Sequence, residues 1–184
     1  MNEGMIVARY AKALLKYVRE TGREDEVYAQ ASSLVLLFQK IPQFRYAVEN
    51  NHELPLEKKI SLMETALNAE LSEDLKRFAF LAGSRSRMEY WTRMLSCFVD
   101  MYREYRHIKA GTLVTAVRQD GLRDRLEAAV GKRLGAKVVL EDRVDESLIG
   151  GFIIEVEDLR MDASVEGQFR RIRKGLVEKD NRII

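Results

Sequence analysis

The hydrophobic period of this chain changes near Lys109, and that change most constrains its fold. Before it, apolar residues recur at steps of three and four, a spacing that places them on one face of an α-helix. After it, Phe152, Ile154 and Val156 alternate with other residues, which is typical of a β-strand. The pattern predicts a mainly α chain with a helical domain over residues 1–106 and a small α+β domain over residues 107–184.

The first part of the chain reads as successive amphipathic helices separated by short breaks. Pro42 and Pro55 mark two boundaries, because proline suits a first helical turn and disfavours helical backbone in the residue before it. The first apolar stripe contains Ile6, Tyr10, Ala13, Leu14 and Tyr17. Each such stripe is expected to face a common core.

The second part alternates strand and helix patterns. The β-branched run from Gly111 to Val117 predicts a strand. The next segments predict, in order, a helix over 122–134, a strand over 137–142, a hairpin over 152–163 and a final helix from Val165. The predicted domain division therefore falls near Arg106–Gly111.

Composition excludes several classes of protein. The 184 residues are 46% hydrophobic and 33% charged, which indicates a globular chain. The 31 basic and 29 acidic side chains leave a net charge of +2, so no strong attraction to nucleic acid is expected. We find no long apolar run and no signal-peptide pattern near the start.

The adjacent glycines Gly150 and Gly151 raise the question of a phosphate-binding loop. Such a loop needs glycines at fixed spacing before a helix, followed by a lysine and a serine or threonine. Here the two glycines precede a strand. We therefore expect a structural role at the strand start and no nucleotide site.

No catalytic or metal-binding constellation is evident. His52 and His107 lie far apart and neither has a cysteine or a second histidine nearby. Cys97 is the single cysteine, so it forms no internal disulfide, and no histidine at helical spacing activates it. We predict no catalytic residue, no metal and no cofactor.

The final helix is basic on one side. Arg170, Arg171, Arg173 and Lys174 predict a solvated face or a surface for an acidic helical partner. Two other classes stay open at this point: a nucleic-acid-binding module that uses this helix, and an enzyme whose dispersed site leaves no motif. The residues themselves favour a protein that holds partners.

The C-terminal segment RVDESLIGGFIIEVEDLRMDASVEGQFRRIRKGL resembles the signature of the delta subunit of bacterial F-type ATP synthase, a relative of the mitochondrial oligomycin-sensitivity-conferring protein. The resemblance rests on three steps: Leu148 to Gly151, Asp162 to Val165 with Ser164, and Gly167 with Gln168. The opening ARYAKALL, Ala8–Leu15, is similar to the family's first helix, though less specifically.

The resemblance implies a non-catalytic stator subunit at the cytoplasmic face of the bacterial membrane, peripheral to it. It implies a six-helix N-terminal bundle that binds the N-termini of alpha subunits of the F1 head, and a C-terminal domain that binds the b subunit of the peripheral stalk. Carried over, the groove residues are Tyr10, Ala11, Ala13, Leu14, Phe78, Ala79 and Ala82. The structural signature residues are Gly150, Gly151, Asp162, Ser164 and Gly167, and the basic residues from Arg170 to Lys174 are the stalk-facing candidates.

Two positions depart from the family pattern. Glu157-Asp158 stands where the family usually has Gly-Asp, and Ser86-Arg87 where it usually has Gly-Arg. A tight turn that needs positive φ disfavours a non-glycine residue. We therefore expect a longer or differently shaped loop at Glu157-Asp158.

Overall fold

The computed structural model of the chain describes residues 3–117 and 121–180, with side chains to residue 174. It divides into two compact units, Met1–Tyr102 and Arg103–Ile184, here called the helical unit and the sheet unit. The division falls a few residues before the one expected after residue 106. The prediction of a mainly helical chain with a small sheet-containing domain is confirmed.

The helical unit consists of helices joined by short connections. They are α1 (Glu3–Thr21), α2 (Glu24–Lys40), α3 (Pro42–Glu49), α4 (Leu56–Leu67), α5 (Glu73–Ser84) and α6 (Trp91–Tyr105). A 3-10 turn over Met88–Tyr90 precedes α6, and the last three residues of α6 belong to the sheet unit. Pro42 begins α3 as its sequence position predicts. Asn68 ends α4 in the left-handed conformation that commonly terminates helices.

Large apolar side chains fill the core of the helical unit. Its largest fully buried members include Trp91, Phe38, Phe98, Leu34, Met63 and Leu75. The Phe78 ring on α5 lies 5.2 Å from the Trp91 ring and 6.2 Å from the Tyr10 ring on α1, measured between centroids. Aromatic contacts of this kind tie α1, α5 and the start of α6 together.

The sheet unit contains a four-stranded sheet in the order β2-β1-β3-β4. Its elements are β1 (Ile108–Thr115), α7 (Leu122–Leu134), β2 (Lys137–Val144), β3 (Phe152–Val156), β4 (Leu159–Asp162) and α8 (Val165–Asp180). Strands β1 and β2 are parallel, since helix α7 crosses over between them. The β1–β3 and β3–β4 pairs are antiparallel.

A separate small core lies between the sheet and α7. It contains Leu113, Val130, Val138, Leu140, Ile154 and Val156. Gly111 on β1 belongs to the same region, where a Cβ would lie 2.5 Å from the backbone oxygen of Glu155 and from a Val156 methyl. The close approach of β1 and β3 therefore requires glycine at this position.

The β3–β4 turn corrects the expectation of a longer loop. Val156 pairs directly with Leu159, so Glu157 and Asp158 form a two-residue turn. Glu157 adopts a φ of +50° without being glycine, a conformation that costs about 1–2 kcal/mol for an L-residue. An ion pair from Lys109 Nζ to Glu157 Oε2, 2.5 Å long, holds that side chain. Ser86, at the other departure from the family pattern, also has positive φ, at +52°.

Candidate partner-binding groove

A groove with a volume of about 420 Å³ runs between α1 and α5 of the helical unit. Its lining residues are Ala13, Leu14, Tyr17, Asp74, Arg77, Phe78 and Leu81. Ala13 and Leu14 lie four and three positions before Tyr17, and Arg77 and Phe78 lie three and four positions after Asp74, so each helix contributes one continuous face. The groove is therefore a direct product of the helical period of the two segments.

Apolar side chains form most of the groove, and some of them remain accessible. Leu14 and Phe78 are 3% and 5% exposed, so they serve as its floor. Leu81 is 48% exposed on the α5 side, and Ala13 is exposed on the α1 side. The half-exposed leucine and the small alanine leave apolar area that a ligand helix would cover.

The polar side chains of the groove contact other side chains of the helical unit. Asp74 is 1% exposed, and the Arg23 guanidinium contacts both of its carboxylate oxygens, at 3.1 Å and 3.0 Å. Arg77 donates a hydrogen bond of 2.9 Å from Nη1 to Tyr17 Oη, joining α5 to α1 at the surface. The buried carboxylate therefore forms an ion pair with Arg23, and Arg77 is the exposed cationic group among the lining residues.

The sequence-predicted groove residues fall into three groups: some line the groove, one is half-buried beside it, and the others are fully buried. Ala13, Leu14 and Phe78 line the groove. Tyr10 is half-buried against Phe78, with the Arg87 guanidinium 5.5 Å from its ring centroid. Ala11, Ala79 and Ala82 are 0% exposed.

This burial corrects the expectation that the three alanines Ala11, Ala79 and Ala82 face the groove. They belong to the core cluster, where small side chains let neighbouring helices approach closely. Sequence reasoning missed Tyr17, Asp74, Arg77 and Leu81 as lining residues. Their spacing from Ala13 and Phe78 is the signal that would have found them, because they extend the same two helix faces.

The signature residues of the sheet unit form the start of α8. Asp162 Oδ1 accepts hydrogen bonds from Ser164 N at 2.9 Å and Ser164 Oγ at 2.6 Å. Ser164 Oγ in turn accepts from Gly167 N at 3.0 Å, which satisfies a free N–H of the first helical turn. These hydrogen bonds lower the pKa of the Asp162 carboxyl below its ordinary value.

The glycines of the signature let neighbouring atoms of the sheet unit come closer than a side chain would allow. A Cβ on Gly167 would lie 2.5 Å from Asp162 Oδ1. Gly151 has a φ of +79°, and a Cβ there would overlap the backbone oxygen of Ala163. Gly150 accepts a backbone hydrogen bond from Val165 N at 3.0 Å. The two adjacent glycines thus join the start of β3 to the start of α8.

The basic residues of α8 are exposed, and Arg170 and Arg171 have partners close by. Arg170 pairs with Glu166 at 2.8 Å, one helical turn away. Arg171 donates to the backbone oxygen of Asp162 at 3.0 Å. The same helix exposes Phe169 by 65% and Ile172 by 59%. Within the described residues, α8 thus combines apolar and cationic side chains on its surface.

Chemistry-bearing residues do not converge in the part of the chain that the structure describes. Residues 3–117 and 121–180 contain no group of three or more His, Cys, Asp or Glu side chains placed to hold a metal ion. Burial is the main cause that raises the pKa of the Cys97 thiol, which disfavours its reactive thiolate. None of the helices in these ranges is both long enough and apolar enough to cross a membrane.

An accessible apolar groove on the helical unit and a basic helix on the sheet unit are typical of a protein that binds partners. Comparison with known proteins then identifies the family. The model of the ATP synthase delta (OSCP) subunit family matches residues 6–176, and the chain belongs to that family. Its members are structural, non-catalytic subunits of ATP synthase.

Relatives support this assignment over the full length. The chain is 37% identical over 183 residues to the ATP synthase subunit delta of Phocaeicola vulgatus, with 98% of each chain covered. It is 34% identical over 188 residues to that of Bacteroides thetaiotaomicron, with 100% of each covered. A chain in the cryo-EM structure of the Toxoplasma gondii mitochondrial ATP synthase hexamer has the same fold, with a TM-score of 0.58, 20% identity, and 93% and 97% of the two chains covered.

Proposed function

We propose that this chain is a stator subunit that links the F1 head of an ATP synthase to the b subunit of the peripheral stalk. In this role it resists rotation of the head during proton-driven ATP synthesis. The observation that carries the proposal is the family match over residues 6–176. We expect the chain, as part of that complex, to be a peripheral component at the cytoplasmic face of the bacterial membrane.

The helical unit binds the N-terminal segments of alpha subunits in the α1–α5 groove. An amphipathic helix would place apolar side chains over Leu14 and Phe78 and against Leu81, with Ala13 permitting close approach of its backbone. Arg77 and Tyr17 lie among the same lining residues and supply polar contacts. This assignment is supported by the apolar lining and by the resemblance of α1 to the family's first helix.

The sheet unit binds the C-terminal end of the b subunit through α8. Phe169 and Ile172 are three residues apart and more than half exposed, which is the spacing of helix-in-groove anchors. Arg170, Arg171, Arg173 and Lys174 surround them and favour an acidic partner surface. Several modest contacts in one assembly gain from effective concentration, so neither interface has to be strong alone.

The test is copurification of the full-length tagged chain from native membranes. We expect the alpha and b subunits of ATP synthase to be retained. A double variant, Phe169→Ser with Ile172→Ser, should lose the b subunit from a reconstituted complex while retaining the alpha subunit's N-terminal peptide. Recovery of the chain free of ATP synthase subunits would contradict the proposed role.

A further inference from the structure

The α1–α5 groove continues past its lining residues toward a cationic end. On α1, Tyr10 lies three residues before Ala13 and therefore on the same helix face. Its ring centroid is 6.2 Å from that of Phe78, which forms part of the groove floor. The Arg87 guanidinium carbon lies 5.5 Å from the centroid of the Tyr10 ring. A guanidinium group therefore lies against the ring that extends the apolar floor.

Two further arginines belong to the same end of the groove. Arg85 follows Leu81 by four residues, just past the end of α5, and Arg9 precedes Ala13 by four residues on α1. This spacing places each arginine on the helix face that borders the groove, and both are exposed. The side chains of Arg9, Arg85 and Arg87 form no hydrogen bond or ion pair with residues of the described ranges 3–117 and 121–180. Their N–H groups are therefore available to a partner.

Two acidic side chains lie close in sequence to this end, and both have other partners. Glu3, at the start of α1, pairs with Arg93 at 2.9 Å. The Tyr90 hydroxyl donates a hydrogen bond to the Glu89 carboxylate. Neither acid pairs with the arginines around Tyr10, so this end of the groove carries positive charge.

The opposite end of the groove carries charges of both signs. Asp74 pairs there with Arg23 at 3.0 Å, and Lys16 lies 3.9 Å from Glu20. Arg77 adds one cation, hydrogen-bonded to a tyrosine hydroxyl. The groove is therefore electrostatically asymmetric along its length, and such asymmetry fixes the register and direction of a bound helix more than its affinity.

We propose that Arg87, assisted by Arg85, determines which helix the groove accepts by binding a carboxylate of that helix. The occupant is an amphipathic helix with its apolar face over Phe78 and Leu81 and an aspartate or glutamate beyond them, near Tyr10. An arginine that lies over an aromatic ring keeps the N–H edge of its planar group for a carboxylate, whose two oxygens it can contact together. The inference rests on the proposed docking of an alpha-subunit segment and adds the charge that orients it.

The test is calorimetric titration of the full chain with an alpha-subunit N-terminal peptide. Arg87→Gln should raise the Kd about fivefold, which is typical of losing one solvent-accessible ion pair. Arg85→Gln combined with Arg87→Gln should raise it about tenfold or more. Lys58→Gln is the matched control, because Lys58 is an exposed cation on α4 that does not line the groove, and its Kd should stay within about twofold of wild type. An unchanged Kd in the double variant would overturn the inference.

A set of altered peptides separates the charge of Arg87 from its packing on Tyr10. Each peptide carries one aspartate or glutamate replaced by its amide. One of these peptides should bind the wild-type chain about fivefold more weakly than the parent peptide does. The same peptide should bind the Arg87→Gln chain as the parent peptide does, because the ion pair is already lost. Additive losses for every altered peptide would show that Arg87 contacts no carboxylate of the partner, and would refute the proposal.

The outcome for the wild-type chain distinguishes this inference from the proposed function. Binding of the parent peptide with no effect of either arginine variant would refute the carboxylate contact and leave the groove assignment standing. Failure of the wild-type chain to bind the parent peptide would refute the groove assignment itself, together with the inference that rests on it.

Discussion

Substitution of Leu81 by lysine tests the groove most directly. Leu81 is 48% exposed and lines the groove near the end of α5. A bound alpha-subunit helix would cover the leucine, whereas lysine would bring an unpaired charge into the contact. The fold should tolerate the change, because the position is half-exposed and a cation in the last helical turn interacts favourably with the helix dipole.

The expected loss of affinity follows from the exposed area. Full burial of a leucine side chain contributes about 1.5–3 kcal/mol, so the half of Leu81 still exposed offers about 1 kcal/mol on binding. An unsatisfied polar group in a desolvated contact adds about 1 kcal/mol or more. The sum is about 2 kcal/mol, which corresponds to about a thirtyfold increase in Kd.

The assay is calorimetric titration of the full chain with an alpha-subunit N-terminal peptide. Phe80→Lys is the matched control, because Phe80 is the preceding residue, is 47% exposed, and does not line the groove. It should leave the Kd within about twofold of wild type, a difference of about 0.4 kcal/mol. Equal weakening by both variants, or unchanged affinity in a folded Leu81→Lys chain, would refute the groove assignment.

Three further predictions concern stability. Ala11→Glu should lower the free energy of unfolding by about 3 kcal/mol or more, because it buries an unpaired charge at a fully buried position. Ala13→Glu, at an exposed position, should change that free energy by less than about 0.5 kcal/mol. Urea denaturation compares the two variants, and equal effects would contradict the assigned burial. Gly151→Ala should destabilise the sheet unit more than Gly135→Ala, since both glycines have positive φ but only the first is crowded; a smaller loss in Gly151→Ala would count against this packing. The lowered pKa of Asp162 implies stability that is present above about pH 4 and is lost as the pH falls through the folded-state pKa. Asp162→Asn should therefore be less stable at pH 7 and show a shallower decline in acid, and an unchanged acid limb in a urea series would exclude this carboxyl as a contributor.

Local patterns were sufficient to predict the classes of structure along the chain. The helical period before Lys109, the prolines at two boundaries and the alternation in Phe152–Val156 correctly predicted helices followed by a small sheet. The signature around Gly150 and Ser164 correctly identified the family. These features succeed because helix and strand periods and turn residues act over a few positions.

Burial on a particular helix face was decided only by the tertiary structure. The sequence alone placed Ala11 and Ala79 on apolar helix faces, but an apolar face can meet either the core or a partner. The packing of the helical unit places both residues in its core cluster and buries them completely. Likewise, Leu81 and Phe80 are adjacent apolar residues of similar exposure, and only the position of α1 makes the first a groove residue.

The sequence by itself determined which segments form helices or strands and to which family the chain belongs, because those properties depend on local spacing and on a contiguous signature. The tertiary structure decided the shape of a turn and the burial of individual side chains. It closes a two-residue turn at Glu157 with the help of Lys109 from another strand, and it buries Ala11 and Ala79 in the core of the helical unit. Both outcomes depend on residues that are distant in the chain, so no local pattern could encode them.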